Sequence, residues 1–87
     1  MLYSKQHTPS IVLNIGGEGM TYGELLKDLR ISAGLTQKQL GLACGYPQST
    51  AENTVQYWEA GTRLPPVMKL RILAEALNVP VDKVVPW

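Results

Sequence analysis

The hydrophobic positions of this chain change period near residue 20. Before that point, Ile11, Leu13 and Ile15 alternate with Ser10, Val12 and Asn14 between Pro9 and a run of glycines, which predicts a short strand. A lone strand leaves its backbone unpaired, so it calls for a partner: either Leu2 to Gln6 across a His7-Thr8-Pro9 turn, or the same segment of a second subunit. Gly16-Gly17-Glu18-Gly19 then reads as a linker, since that many glycines disfavour a helix. The pattern divides the chain into an extended arm with its linker, 1–20, and a folded domain, 21–87.

From Thr21 onward the period is helical. Tyr22, Leu25, Leu26, Leu29 and Ala33 share one face, and Thr21 stands three residues before Glu24 as a capping box, with Gly34 as the stop. Thr36 repeats the device with Gln39, followed by Leu40 and Ala43 as the inward face and Gly45 as the next stop. Gly41 is expected where the backbones of two helices approach closely. Ser49 and Glu52 have the same spacing after Pro47, so a third helix starts at Ser49 or, with a longer loop, at Ala51. Starting at Ser49, Ala51, Val55 and Trp58 face inward, while Thr50, Asn53, Thr54 and Tyr57 form a polar outward face. Pro65-Pro66 opens a fourth helix whose Val67, Leu70, Leu73, Ala74 and Leu77 face inward, with Asn78 as its C-cap. A fifth, short helix is expected at about Val81 to Val85.

Composition narrows the class. With 87 residues, 45% hydrophobic and 17% charged, the chain has the makings of one small helical core and not of a disordered segment. A single cysteine, Cys44, rules out an internal disulfide and a cysteine-paired zinc site, which suits a reducing, cytoplasmic setting; Cys44 itself is expected to be a small buried hydrophobe. No apolar run approaches the length of a membrane span, and no metal or cofactor site is expected. The glycines at 17, 19 and 23 match neither a P-loop nor a dinucleotide fingerprint, and the single His7 assembles no catalytic triad, so the chain does not read as an enzyme.

A formal net charge of +1 argues against holding polyanions by bulk attraction. Between Thr21 and Arg63, Lys27, Arg30, Lys38 and Arg63 are balanced by Glu24, Asp28, Glu52 and Glu59. Any nucleic-acid contact must therefore be local, with Lys38 and Arg63 as the expected phosphate partners. Gln37, in the first turn of its helix, is placed where a phosphate meets free backbone N–H groups, and its side chain adds a hydrogen bond.

Leu29-Arg30, Gly34-Leu35-Thr36-Gln37, Leu40-Gly41, Gly45, Trp58-Glu59-Ala60-Gly61 and Pro65 follow in an order that resembles the lambda-repressor-like helix-turn-helix family of Cro and Xre type, over roughly Thr21 to Val85. The resemblance implies an all-α, five-helix domain, here preceded by a short N-terminal β-strand arm. It implies an ion pair between Arg30 and Glu59 that ties the first helix to the end of the third. Counting back from Glu59, the family's base-reading positions fall on Glu52, Asn53 and Tyr57; the helical face adds Thr50 and Thr54, and an earlier start adds Gln48 and Ser49. Asn53 suits adenine, the threonine methyls suit thymine, and Glu52 can accept only from cytosine N4. One departure stands out: Glu59 lies fourteen positions after Gly45, where the family usually has about ten, so about one helical turn has been added.

The implied function is a sequence-specific, double-stranded-DNA-binding transcriptional regulator of phage or bacterial type that binds its operator as a homodimer, with repression and activation both left open. Ile72, Val85 and Trp87, and on the arm Ile11, Leu13 and Ile15, are the candidate dimer contacts, with Met68 and Leu42 as further apolar surplus. The alternative is an antitoxin-like interaction module on the same fold, whose arm adds a strand to a protein partner.

Overall fold

The computed structural model describes residues 12–15 and 18–87, with the backbone alone for 12–15, 18 and 19. It opens with an antiparallel hairpin, β1 (Val12–Ile15) and β2 (Glu18–Thr21), in the register Val12 to Thr21 and Ile15 to Glu18. Four α-helices follow: α1 (Tyr22–Ser32), α2 (Gln37–Ala43), α3 (Ala51–Ala60) and α4 (Leu70–Leu77). Single 3₁₀ turns at Val67–Lys69 and Val81–Lys83 flank α4. None of the described helices is long and apolar enough to cross a membrane.

The strand partner differs from expectation. Residues 18–21, read as the end of a glycine linker, form the second strand, and pairing through Leu2 to Gln6 lies outside the described residues, as does Ile11. Glu18-Gly19-Met20-Thr21 has no alternating apolar pattern, so only its neighbour reveals it as a strand. Thr21 both closes β2 and caps α1: its hydroxyl accepts from the Glu24 N–H at 3.1 Å, and its own N–H donates to Glu24 Oε1 at 3.0 Å. The hairpin is thus joined to the helical domain without an intervening spacer.

The five-helix expectation is corrected to four. The segment expected as a helix over Val81 to Val85 is one 3₁₀ turn, closed by the Val84 N–H donating to the Val81 carbonyl at 3.0 Å and stopped by Pro86. Val84 is fully buried, and its carbonyl accepts from the Tyr22 hydroxyl, which ties this turn to the start of α1. Burial pushes the Tyr22 phenol well above its ordinary range.

Tyr22, Leu26, Leu40, Cys44, Val55, Trp58, Leu70, Leu73, Ala74, Leu77 and Val84 form one continuous core. Val67, expected inward, is instead 70% exposed, because the 3₁₀ turn before α4 advances the chain by three residues per turn and so shifts its phase. On α2, Gly41 and Cys44 take the inward side with Leu40, and Ala43 is exposed. A Cβ on Gly41 would lie 2.6 Å from the Ala51 carbonyl carbon and 2.8 Å from its Cα, so α2 and α3 touch backbone to backbone at their crossing. Gly23 does the same for α1, with a Cβ there 2.8 Å from the Glu59 carbonyl carbon.

Candidate nucleic-acid interface

The third helix is held between α1 and α2 and turns Ala51, Val55 and Trp58 into the core. It begins at Ala51, which settles its start in favour of the longer loop. The Ser49 capping box does not form: Thr50 occupies the cap position, and no side chain caps the helix. The reason lies in Pro47, whose carbonyl accepts from the N–H groups of Thr50 at 3.0 Å and Ala51 at 2.9 Å. Of these, the Ala51 amide is one that a Ser49 cap would serve, and it is already paired.

Trp58 packs edge-on against Tyr46 at 5.8 Å, and Lys69, from the start of α4, lies over the other aromatic at 4.9 Å. The Lys69 ammonium also donates to the Cys44 carbonyl at 2.9 Å, at the C-terminal end of α2, where a cation complements the helix dipole. Lys69 carries no signal in the sequence, since its partners lie more than twenty positions away. Cys44 is free and buried, and burial pushes its thiol up to about 11.

At the other end of α3, Glu59 gathers three donors. Arg30 Nε reaches its Oε2 at 2.6 Å and Nη2 its Oε1 at 3.3 Å, while Gln37 Nε2 reaches Oε1 at 3.0 Å. Arg30 Nη1 donates in addition to the Leu35 carbonyl at 2.9 Å. The two charged side chains are 11% and 6% exposed, so the pair is desolvated and fully hydrogen-bonded. Arg30 is thereby directed inward, away from any surface phosphate.

The Gln37 side chain faces the same way. Its nitrogen serves Glu59 and its oxygen accepts from Gln56 Nε2 at 3.3 Å, so its amide braces α2 against α3 instead of facing solvent. Gln56, which the sequence pattern did not single out, also donates to Glu52 Oε2 at 3.5 Å, one turn back on α3.

The outward face of α3 is correspondingly shifted. Glu52, Asn53, Gln56 and Tyr57 are exposed on it. Thr54 is half-buried and its hydroxyl donates to the Thr50 carbonyl at 2.8 Å, which commits its hydrogen to the helix backbone. Thr50 turns its hydroxyl toward the Pro47 carbonyl at 3.5 Å, and Gln48 and Ser49 are exposed in the preceding turn. Arg63 stacks its guanidinium 4.4 Å from the centre of the Tyr57 ring, and Lys38 sits in the first turn of α2. Of the apolar surplus, Met68 is 86% and Trp87 71% exposed, Ile72 and Leu42 are exposed, and Val85 is half-buried against the core. The side chains of Leu13 and Ile15 lie outside the described residues. No group of His, Cys, Asp and Glu among the described residues is arranged to hold a metal ion.

A family model described as helix-turn-helix, of the Cro/C1 type, matches residues 26–84. Among solved structures, the transcriptional regulator BswR is 35% identical with a TM-score of 0.66, over 69% of this chain and 59% of BswR. The restriction-modification controller protein C.AhdI from Aeromonas hydrophila is 28% identical with a TM-score of 0.61, over 74% of this chain and 91% of C.AhdI. This chain thus spans less than two thirds of BswR. No curated protein matches the sequence.

Proposed function

The chain belongs to the Cro/C1-type helix-turn-helix family and is similar to a transcriptional regulator and to a restriction-modification controller protein, and from that premise we propose that it is a sequence-specific regulator that inserts α3 into the major groove of double-stranded DNA. The observation that carries the reading is the outward face of α3. Four exposed side chains with hydrogen-bonding groups, Glu52, Asn53, Gln56 and Tyr57, stand on a helix whose opposite face is buried and whose end is fixed by a desolvated ion pair. Rigid presentation of polar groups is what base readout needs. Asn53 is the leading candidate for adenine. Lys38 and Arg63 serve as phosphate contacts on either side, with Gln37 as the brace between helices.

Few phosphates are neutralised by this arrangement, so affinity should depend only modestly on salt: two contacts per protomer correspond to a slope of about −2 in log K against log salt, or about −4 for a dimer. A homodimer through the exposed Met68, Ile72 and Trp87 would set two reading helices about 34 Å apart on a two-fold operator. Selection of bound sequences from random duplexes tests the reading. An enriched half-site that loses one specified position with Asn53→Ala is expected; no enrichment overturns it. The near-neutral charge instead favours the second reading, a protein-interaction module that uses the N-terminal hairpin, and that reading gains if no duplex is selected.

A further inference from the structure

Two amides and two carboxylates form one chain of hydrogen bonds across α2 and α3. Read in order, Gln37 Nε2 donates to Glu59 Oε1, Gln56 Nε2 donates to Gln37 Oε1, and the same Gln56 nitrogen faces Glu52 Oε2. Both ends are carboxylates, which only accept. Glu59 therefore fixes the nitrogen of Gln37 toward itself, which turns the Gln37 oxygen to Gln56. Gln56 must then point its nitrogen at that oxygen and at Glu52, because turning its amide over would set oxygen against oxygen at both contacts. The orientation of the Gln56 amide follows from its neighbours' chemistry.

Gln56 is exposed on the α3 face, and its Oε1 has no hydrogen-bond donor from the chain among the described residues. We propose that Gln56 is a specificity-determining residue of fixed polarity, presenting an acceptor to the major groove, so that it selects an amino-bearing base, adenine or cytosine, on the strand it faces. The inference rests on the DNA-binding reading above and sharpens it. A free glutamine grips adenine with both ends of its amide, through N6 and N7, and so specifies adenine alone. A glutamine whose nitrogen is held by the protein keeps only its oxygen for the base, and a neutral amide oxygen can accept from adenine N6 as well as from cytosine N4. Guanine and thymine, which present acceptors O6 and O4 there, are rejected because two acceptors would meet. Glu52 adds a second acceptor one turn earlier on the helix.

Half-site selection from random duplexes with the full chain, comparing the wild type with Gln56→Ala and Glu52→Gln, tests this. Residue 56 is exposed, and a thermal melt of each variant verifies that it is folded. For the wild type, one position is expected to be enriched in adenine and cytosine together, at the expense of guanine and thymine. With Gln56→Ala, discrimination at that position should fall about tenfold while the other positions keep theirs. Glu52→Gln removes only the longer of the two acceptors that face the Gln56 nitrogen; Gln37 Oε1, itself fixed by Glu59, still holds that nitrogen, so the same position should continue to exclude guanine and thymine. An enriched half-site indifferent to Gln56→Ala, or one read as adenine alone at the Gln56-dependent position, overturns the inference and leaves the DNA-binding reading intact. Absence of any enriched site for the wild type overturns both.

Discussion

At its C-terminal end α3 is held by Glu59, whose carboxylate collects hydrogen bonds from Arg30 and Gln37; at its N-terminal end the Ala51 backbone lies against Gly41 and no side chain caps the helix. The first attachment is directional and depends on charge. The second is steric and depends on a missing side chain. Direction fixes how α3 is rotated about its axis, and hence which residues face outward; contact fixes how far it stands from α2. The base-reading role proposed for α3 would need both, and this fold supplies them from opposite ends by unrelated means.

Each attachment can be broken separately. Arg30→Ala strands a desolvated carboxylate and is expected to cost about 3–5 kcal/mol. That corresponds to a drop in melting temperature on the order of 15 °C or more for a domain of this size. An unchanged melting temperature together with weakened DNA binding would instead make Arg30 a phosphate contact. Gly41→Ala forces α2 and α3 apart and is expected to lower stability by about 1–3 kcal/mol, read as a shifted denaturation midpoint. A midpoint equal to the wild type would show that the crossing has room to relax. The smallest effect belongs to Ser49→Ala, expected to stay within about 0.5 kcal/mol because Ser49 is exposed and no side chain caps this helix. A loss of about 1 kcal/mol, typical of a removed cap, would restore Ser49 to that role.

The same contrast explains what the sequence disclosed. Three stretches have capping-box spacing: Thr21 with Glu24, Thr36 with Gln39, and Ser49 with Glu52. The first two form and bound α1 and α2. The third does not, because Glu52 accepts from Gln56 and the Pro47 carbonyl intervenes, and neither fact is contained in a three-residue spacing. Local periodicity was enough to place Ala51, Val55 and Trp58 on the inner side of α3. It was silent on Gln56 and Lys69, whose roles depend on partners nineteen and twenty-five positions away. The hairpin shows the limit in another form: Glu18 to Thr21 resembles a linker until β1 is laid beside it. The fifth helix failed for a simpler reason, since Pro86 leaves too little chain after Pro80 for more than one turn.

The inward direction of Arg30 has a consequence for the cell. A genome offers on the order of 10⁶–10⁹ competing sites to any DNA-binding protein, and the hold of those sites on it is almost wholly electrostatic. A guanidinium locked to Glu59 is withdrawn from that competition. For the DNA-binding function proposed above, this leaves one cation fewer per protomer to hold random sequence, which favours discrimination over non-specific hold.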